Sequence, residues 1–134
     1  MDWLAPYNMT VIVIGATGLL FFIQLIVADI IGIRRKHTPG TQINEGHDSL
    51  LFRSGRAFAN SNETVGIFVL FTLFAIFSAA SPSWVNGFAV MYLLGRVAHM
   101  LFYYANIKVL RSVSFAVSAS GLLAIFMTGL VVWV

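Results

Sequence analysis

The amino-acid sequence predicts an all-α membrane protein that folds as a bundle of four transmembrane helices. Of the 134 residues, 59% are hydrophobic and only 10% are charged, and the mean hydropathy is +0.88. Ordinary globular chains carry about 25% charged residues. Because so short a chain cannot hide this much apolar surface from water, lipid is its solvent. The length allows a single domain over residues 1–134.

Four apolar stretches each approach the roughly 20 residues that cross a bilayer. The first is interrupted by Gln24 and Asp29, and the third contains Arg96 and His99. The second ends before Pro82, which cannot continue a helix. We therefore expect membrane spans at about residues 10–33, 63–80, 84–104 and 113–134, with one longer loop at 34–55.

The lysines and arginines outside the spans lie on one side of the membrane. Five lie between the first and second spans and two between the third and fourth: Arg34, Arg35, Lys36, Arg53, Arg56, Lys108 and Arg111. The other side, with both termini, carries none. By the positive-inside rule, we expect a multi-pass protein with its basic loops in the cytoplasm and both termini outside.

Several kinds of chemistry are not indicated. Without cysteine, the chain has no thiol nucleophile and no thiolate metal ligand. His47 and Asp48 are adjacent and distant from His37, which is not a metal-ligand spacing, so we predict no metal site and interpret this connection as a solvated loop. No basic stripe interleaved with aromatic residues suggests nucleic-acid binding.

Polar side chains recur on one face of several predicted helices. A charge at the centre of a span costs about 2.5–3.5 kcal/mol, so such residues usually face a partner or a cavity. The spacing places three sets on narrow faces: Arg56, Asn60 and Glu63; Arg96, His99 and Tyr103; and Gln24, Ala28, Ile31 and Arg35. If these faces converge, they enclose a polar pocket near the basic side. Its arginines favour carboxylates, and Glu63 would accept from an ammonium group.

Structural interpretations of the same residues remain open. Glu63 and Arg96 can form an ion pair between helices, which would be weak evidence for a site. Arg35 and Arg56 can extend to the membrane interface as snorkelling side chains. Residues 114–121 are rich in Ser, Ala and Gly, which predicts close helix packing.

Two runs of sequence resemble a known family. Residues 56–64, RAFANSNET, resemble the R-A-x-x-N-x-x-E signature of the MAPEG family, the membrane-associated proteins of eicosanoid and glutathione metabolism. Residues 95–99, GRVAH, followed by Tyr103 and by residues 110–113, are similar to its microsomal prostaglandin E synthase and glutathione transferase branch. The resemblance extends over essentially the whole chain.

This resemblance implies a four-helix, MAPEG-like subunit that assembles as a homotrimer and binds glutathione between subunits near the cytoplasmic face. It implies that Arg111 is the catalytic residue that stabilises the thiolate of glutathione, a role suited to a guanidinium beside a thiol. The positions that match glutathione contacts are Arg35, Asn60, Glu63, His99, Tyr103 and Ser112, together with Arg111.

Departures from the family pattern leave two functions open. Ala59 stands where the eicosanoid enzymes have a second arginine, Phe115 replaces a tyrosine, and Phe58 and Met100 replace polar residues. The first function is a glutathione-dependent transferase or peroxidase that acts on hydrophobic electrophiles or lipid hydroperoxides in the bilayer. The alternative is a non-catalytic accessory or scaffold subunit with a degenerate site. This alternative includes a complex with a different membrane protein as partner.

Overall fold

The computed structural model describes residues 2–134, which form a short 3-10 helix and four long α-helices. The 3-10 helix is Asp2–Tyr7, and the α-helices are α1 (Asn8–Arg34), α2 (Leu50–Phe77), α3 (Pro82–Tyr104) and α4 (Lys108–Leu130). Each of the four long helices is long and apolar enough to cross a membrane. The prediction of an all-α, four-helix membrane protein is therefore confirmed.

Helix α2 starts well before the apolar stretch that predicted the second span. It begins at Leu50 rather than near Glu63, and the connection between α1 and α2 shortens to residues 35–49. The added turns carry Arg53, Arg56 and Asn60. Hydropathy detects only the part of a helix that lies in lipid, whereas backbone hydrogen bonding continues through its polar end.

Three helices end in the same capping motif without using glycine. Lys36, Ala79 and Asn106 follow α1, α2 and α3 in the left-handed conformation, with φ of 54°, 53° and 59°. After each helix, two backbone N–H groups return to carbonyls of the last turn at 2.9–3.1 Å. This is the Schellman pattern, which satisfies carbonyls that the helix leaves free. After α2 and α3 these tight ends lead directly into short connections, at residues 78–81 and 105–107.

Small residues bring α3 and α4 into close contact. A side chain added at Gly95 would lie 2.7 Å from the backbone nitrogen of Ser118, and one added at Gly121 would lie 3.1 Å from backbone atoms of Phe88 and Tyr92. Ser118 is itself almost fully buried. The predicted close packing of residues 114–121 is confirmed.

The topology gives the bundle two ends of different character. The basic end carries the α1–α2 connection at residues 35–49 and the α3–α4 connection at residues 105–107. The opposite end carries the α2–α3 turn at residues 78–81, the 3-10 helix and the C-terminus. Most side chains between the two ends that face outward are large and apolar, as expected for contact with lipid.

Candidate functional site

A cavity near the basic end is lined mainly by residues that the sequence singled out. Its volume is about 240 Å³, and its lining consists of Asn60, His99, Tyr103, Arg111, Ser112 and Phe115. Five of the seven predicted site residues therefore surround one space. Two of the predicted polar faces, those of α2 and α3, converge there.

Helix geometry explains how these side chains meet. His99 and Tyr103 lie one turn apart on α3, and Asn60 lies on the facing helix α2. The tight α3–α4 connection then returns the chain at once, so that Arg111 and Ser112 in the first turn of α4 lie beside the last turn of α3. The cavity is thus a product of three helices and one short connection.

Arg111 is held against an aromatic ring. Its guanidinium carbon lies 4.3 Å from the centroid of the Tyr103 ring, a distance suited to a cation–π contact. Its Nη1 atom is buried and has no hydrogen-bond partner among residues 2–134. The group is therefore oriented by Tyr103 while part of its hydrogen-bonding capacity remains available.

His99 is also buried with hydrogen-bonding capacity left over. Its side chain is 3% exposed, and within the described residues its Nδ1 atom has no hydrogen-bond partner. The ring lies between Tyr103 and Phe115, with centroid distances of 5.2 and 6.1 Å. A ligand atom in the cavity could meet both His99 and Arg111.

Glu63 and Arg35, the remaining predicted site residues, do not line the cavity. Glu63 is exposed on α2 and reaches the site through Asn60, whose Nδ2 donates to its Oε2 at 3.3 Å. Arg35 is exposed at the end of α1, outside the cavity lining. A single subunit therefore assembles only part of the predicted set. The predicted face of Gln24, Ala28, Ile31 and Arg35 does not contribute to this cavity.

Arg96 is not a lining residue, although it shares a helical face with His99 and Tyr103. It is fully buried and donates from Nη1 to Asn60 Oδ1 at 2.9 Å and from Nη2 to Ser61 Oγ at 2.8 Å. The predicted role of Arg96 as a carboxylate-binding residue in the pocket is wrong for this subunit, because the guanidinium lies behind Asn60. Its hydrogen bonds also go to these two residues and not to Glu63, so the direct ion pair between helices is not what the structure contains.

The α1–α2 connection brings His47 against Tyr103 of the cavity, a contact that the sequence did not predict. Arg53 Nη1 donates to the carbonyl oxygens of His47 and Asp48, at 2.7 and 2.9 Å. The His47 ring is nearly parallel to that of Tyr103, with centroids 6.2 Å apart, and lies edge-on to Phe52 at 4.9 Å. The expectation of a wholly solvated loop is therefore wrong at His47, which is partly buried. No spacing in the sequence signals this contact, since only the fold brings the connection over α3.

Phe115 and Ala59, two of the departures noted in the sequence, lie at or beside the site. Phe115 forms part of the cavity wall, where a tyrosine would present a hydroxyl group. Ala59 precedes Asn60 and carries no group that could bind a carboxylate. The cavity thus keeps its guanidinium, imidazole and amide groups while one wall is apolar.

A family comparison agrees with this geometry. The family model described as "MAPEG family" matches residues 12–131, which span all four helices. Compared with the curated proteins, the chain matches none. Because the family model covers far more than half of the sequence, the relationship applies to the whole fold and not to one motif. This four-helix membrane protein belongs to the MAPEG family.

Proposed function

We propose that this protein is an integral-membrane, glutathione-dependent transferase or peroxidase that acts on hydrophobic electrophiles or lipid hydroperoxides. The observation that carries the proposal is the cavity in which Arg111 and His99, both with buried and unpartnered nitrogen atoms among residues 2–134, meet Asn60, Tyr103 and Ser112. Buried polar atoms of this kind are expected to be satisfied by a partner. The run at residues 95–99 favours the prostaglandin E synthase and glutathione transferase branch.

The residues present fit glutathione as a ligand. Glutathione has two carboxylates, one amine and one thiol, and its thiolate supplies the nucleophile when it is bound. Arg111 is the cation suited to lie beside that thiolate, because a neighbouring guanidinium lowers the pKa of a thiol. Glu63 would accept from the ammonium, while Asn60, His99, Tyr103 and Ser112 would orient the peptide. Arg111 is partly buried, with its Nη1 atom shielded from solvent, and this partial burial strengthens its electrostatic effect.

We also propose that the functional unit is a homotrimer, as in the family pattern. Glu63 is exposed on α2, where the apolar stretch predicted to cross the membrane begins. A carboxylate at the edge of a span is stabilised by protein or ligand around it and not by acyl chains. A neighbouring subunit would supply that cover and would bring Arg35, which a single subunit leaves outside the cavity.

The basic end is proposed to face the cytoplasm, where glutathione would reach the site. The support is the seven-to-none distribution of Lys and Arg between the two sides. A reporter fused after Val134 should be detected outside the cytoplasm, and one inserted between Gly40 and Asp48 should be detected inside. A cytoplasmic C-terminus would reverse the orientation and the position of the site with it.

The experiment that tests the function is a glutathione titration of purified full-length protein in detergent or nanodiscs. We expect saturable binding below millimolar concentration, together with an ultraviolet difference spectrum of thiolate formation. S-methylglutathione is the control, since it has the same carboxylates and amine but no ionisable thiol. Binding of both compounds with a thiolate signal from glutathione alone supports the proposal.

The alternative, a non-catalytic accessory or scaffold subunit, is favoured by Phe115 in the cavity wall and by Ala59 beside Asn60. Both remove polar contacts that the enzymes of the family have. An absence of glutathione binding at millimolar concentration would reject the enzyme and favour this alternative. Binding without a thiolate signal would indicate a ligand site that has lost its chemistry.

A further inference from the structure

A buried guanidinium lies directly behind the candidate site. Arg96 is 0% exposed, and it donates to Asn60 Oδ1 at 2.9 Å and to Ser61 Oγ at 2.8 Å. Arginine has donors only and keeps its charge. A charged group at this depth is retained only where the surrounding protein stabilises it.

The side chain of Asn60 uses both ends of its amide. Its Oδ1 accepts from Arg96, and its Nδ2 donates to Glu63 Oε2 at 3.3 Å. Because Arg96 can only donate, it selects the oxygen end of the amide. The nitrogen end must then face the carboxylate of Glu63. The chain of contacts runs from a buried cation, through one amide, to an exposed carboxylate.

We propose that Arg96 is a positioning residue that acts through Asn60. It fixes which end of the Asn60 amide points to Glu63, and so it holds the Glu63 carboxylate in the place where a ligand ammonium would meet it. Arg96 itself does not line the cavity. The part of this inference that concerns a ligand rests on the proposed function, whereas the orientation of the amide does not.

The hydrogen bonds from Arg96 through Asn60 to Glu63 form a relay, and this relay explains why an amide, and not a carboxylate, suits position 60. An aspartate there would give Arg96 an ion pair, which on charge alone should be favourable. It would also place an acceptor-only group against the acceptor-only Glu63, and like charges at this distance repel. The hydrogen bonds therefore predict coupling between positions 60 and 63: Asn60→Asp should be tolerated less well beside Glu63 than in the Glu63→Gln background, where a donor faces the new carboxylate.

A double-mutant cycle tests the orientation of the amide without any ligand. We would measure thermal unfolding of the full-length protein with Asn60→Asp, with Glu63→Gln and with both. The change in Tm caused by Asn60→Asp should be about 2 °C more favourable in the Glu63→Gln background than in the unsubstituted protein. Thr72→Val, which removes a buried hydroxyl elsewhere on α2, is the control for perturbing the helix. Additive effects of the two substitutions would overturn the relay.

Glutathione affinity separates positioning from simple structural support. Arg96→Gln should weaken binding about tenfold in the folded protein, because its amide no longer dictates the orientation of Asn60. Ser61→Ala removes the other hydrogen bond of Arg96 and should keep Kd within about threefold. If Arg96 only supports the bundle, both variants lower Tm and neither changes Kd, which would overturn the positioning role.

The two proposals fail in different ways. If the unsubstituted protein does not bind glutathione, the proposed function is rejected, and the unfolding cycle still decides whether the Asn60 amide donates to Glu63, while the same cycle repeated with Arg96→Gln decides whether Arg96 sets that orientation. If Arg96→Gln does not fold, Arg96→Lys takes its place. A lysine can donate to Asn60 but cannot reach Asn60 and Ser61 together as a planar guanidinium does. If the bond to Asn60 is the one that matters, Arg96→Lys should therefore keep most of the glutathione affinity. Loss of binding in Arg96→Lys with full binding in Asn60→Ala would contradict the inference.

Discussion

The two ends of the bundle treat their buried polar groups differently. At the opposite end, Asn86 donates from Nδ2 to the carbonyl of Pro6 at 2.9 Å and accepts at Oδ1 from the Thr10 backbone N–H and hydroxyl at 3.0 and 2.6 Å. Tyr7 donates to the carbonyl of Ala80 in the same region. These bonds join the 3-10 helix, α1, the α2–α3 turn and α3 into one closed structure.

At the basic end, many buried polar atoms have no hydrogen-bond partner in the part of the chain that the structure describes. They belong to Ser49, Arg53, Arg96, His99, Tyr104, Asn106 and Arg111. Thr17 and Gln24, near the middle of α1, and Thr72, near the opposite end of α2, also have such atoms. In lipid an unsatisfied polar group is costly.

The difference shows where the fold is complete and where it is not. A satisfied network stabilises the chain and has no free groups for a ligand, whereas an unsatisfied one retains donors and acceptors. The opposite end therefore functions as structure, and the basic end keeps the hydrogen-bonding capacity that we propose a ligand uses. Substitutions at the two ends should separate stability from ligand binding.

The largest expected effect is on chemistry at the basic end. Lowering the pKa of a thiol from about 8.5 to about 6.5 requires about 2.7 kcal/mol, which corresponds to about 100-fold in the ionisation constant and, at pH 7, to about 25-fold in thiolate population. Arg111→Ala should therefore reduce conjugation of glutathione to a hydrophobic electrophile about 25-fold at pH 7, with little change in Tm. Lys108→Ala removes an exposed cation one turn earlier on α4 and is the matched control. If Arg111→Ala keeps its rate, another group stabilises the thiolate.

The next effect is on stability at the opposite end. Asn86→Ala removes three hydrogen bonds and leaves their partners unsatisfied, which should cost about 2–4 kcal/mol of unfolding free energy. Glutathione affinity of the folded fraction should not change. Asn44→Ala, in the exposed α1–α2 connection, is the control. A change in Kd with unaltered stability would remove the distinction between the two ends.

A smaller effect of opposite sign is expected at Gln24. Its side chain is 0% exposed, and neither atom of its amide has a hydrogen-bond partner within residues 2–134. Gln24→Leu should raise the free energy of unfolding by about 1–2 kcal/mol, because it replaces an unsatisfied amide with an apolar group of similar size. Gln42→Leu, on the exposed connection, controls for added apolar surface. A loss of stability in chemical denaturation would show that this amide is bonded in the membrane.

The smallest effect concerns a helix end. Ala79 holds a left-handed conformation that glycine adopts without steric cost. Ala79→Gly should raise stability by about 0.5–1 kcal/mol, measured from the shift in Tm. Ala105→Gly is the matched control, since Ala105 caps α3 in the right-handed region and should lose a similar amount. A loss in both variants would show that flexibility outweighs the strain at Ala79.

Much of the candidate site could be predicted because helical periodicity groups residues reliably. Spacing placed Asn60 on one face of α2, and His99 with Tyr103 on one face of α3, and these faces do meet. Periodicity does not give depth. Arg96 and Tyr103 share a face but are about 10 Å apart along the helix axis, so one is buried behind the cavity while the other lines it.

The sequence by itself determined the four membrane helices, their order and the basic side. It could do so because lipid forces each span to satisfy its own backbone hydrogen bonds, so local hydropathy is enough. Only the tertiary structure decided that Arg53 holds the connection with His47 beside Tyr103, that Arg96 bonds to Asn60 and that Arg35 lies apart from the cavity. These outcomes depend on distances between segments far apart in the chain, and no local pattern encodes such distances.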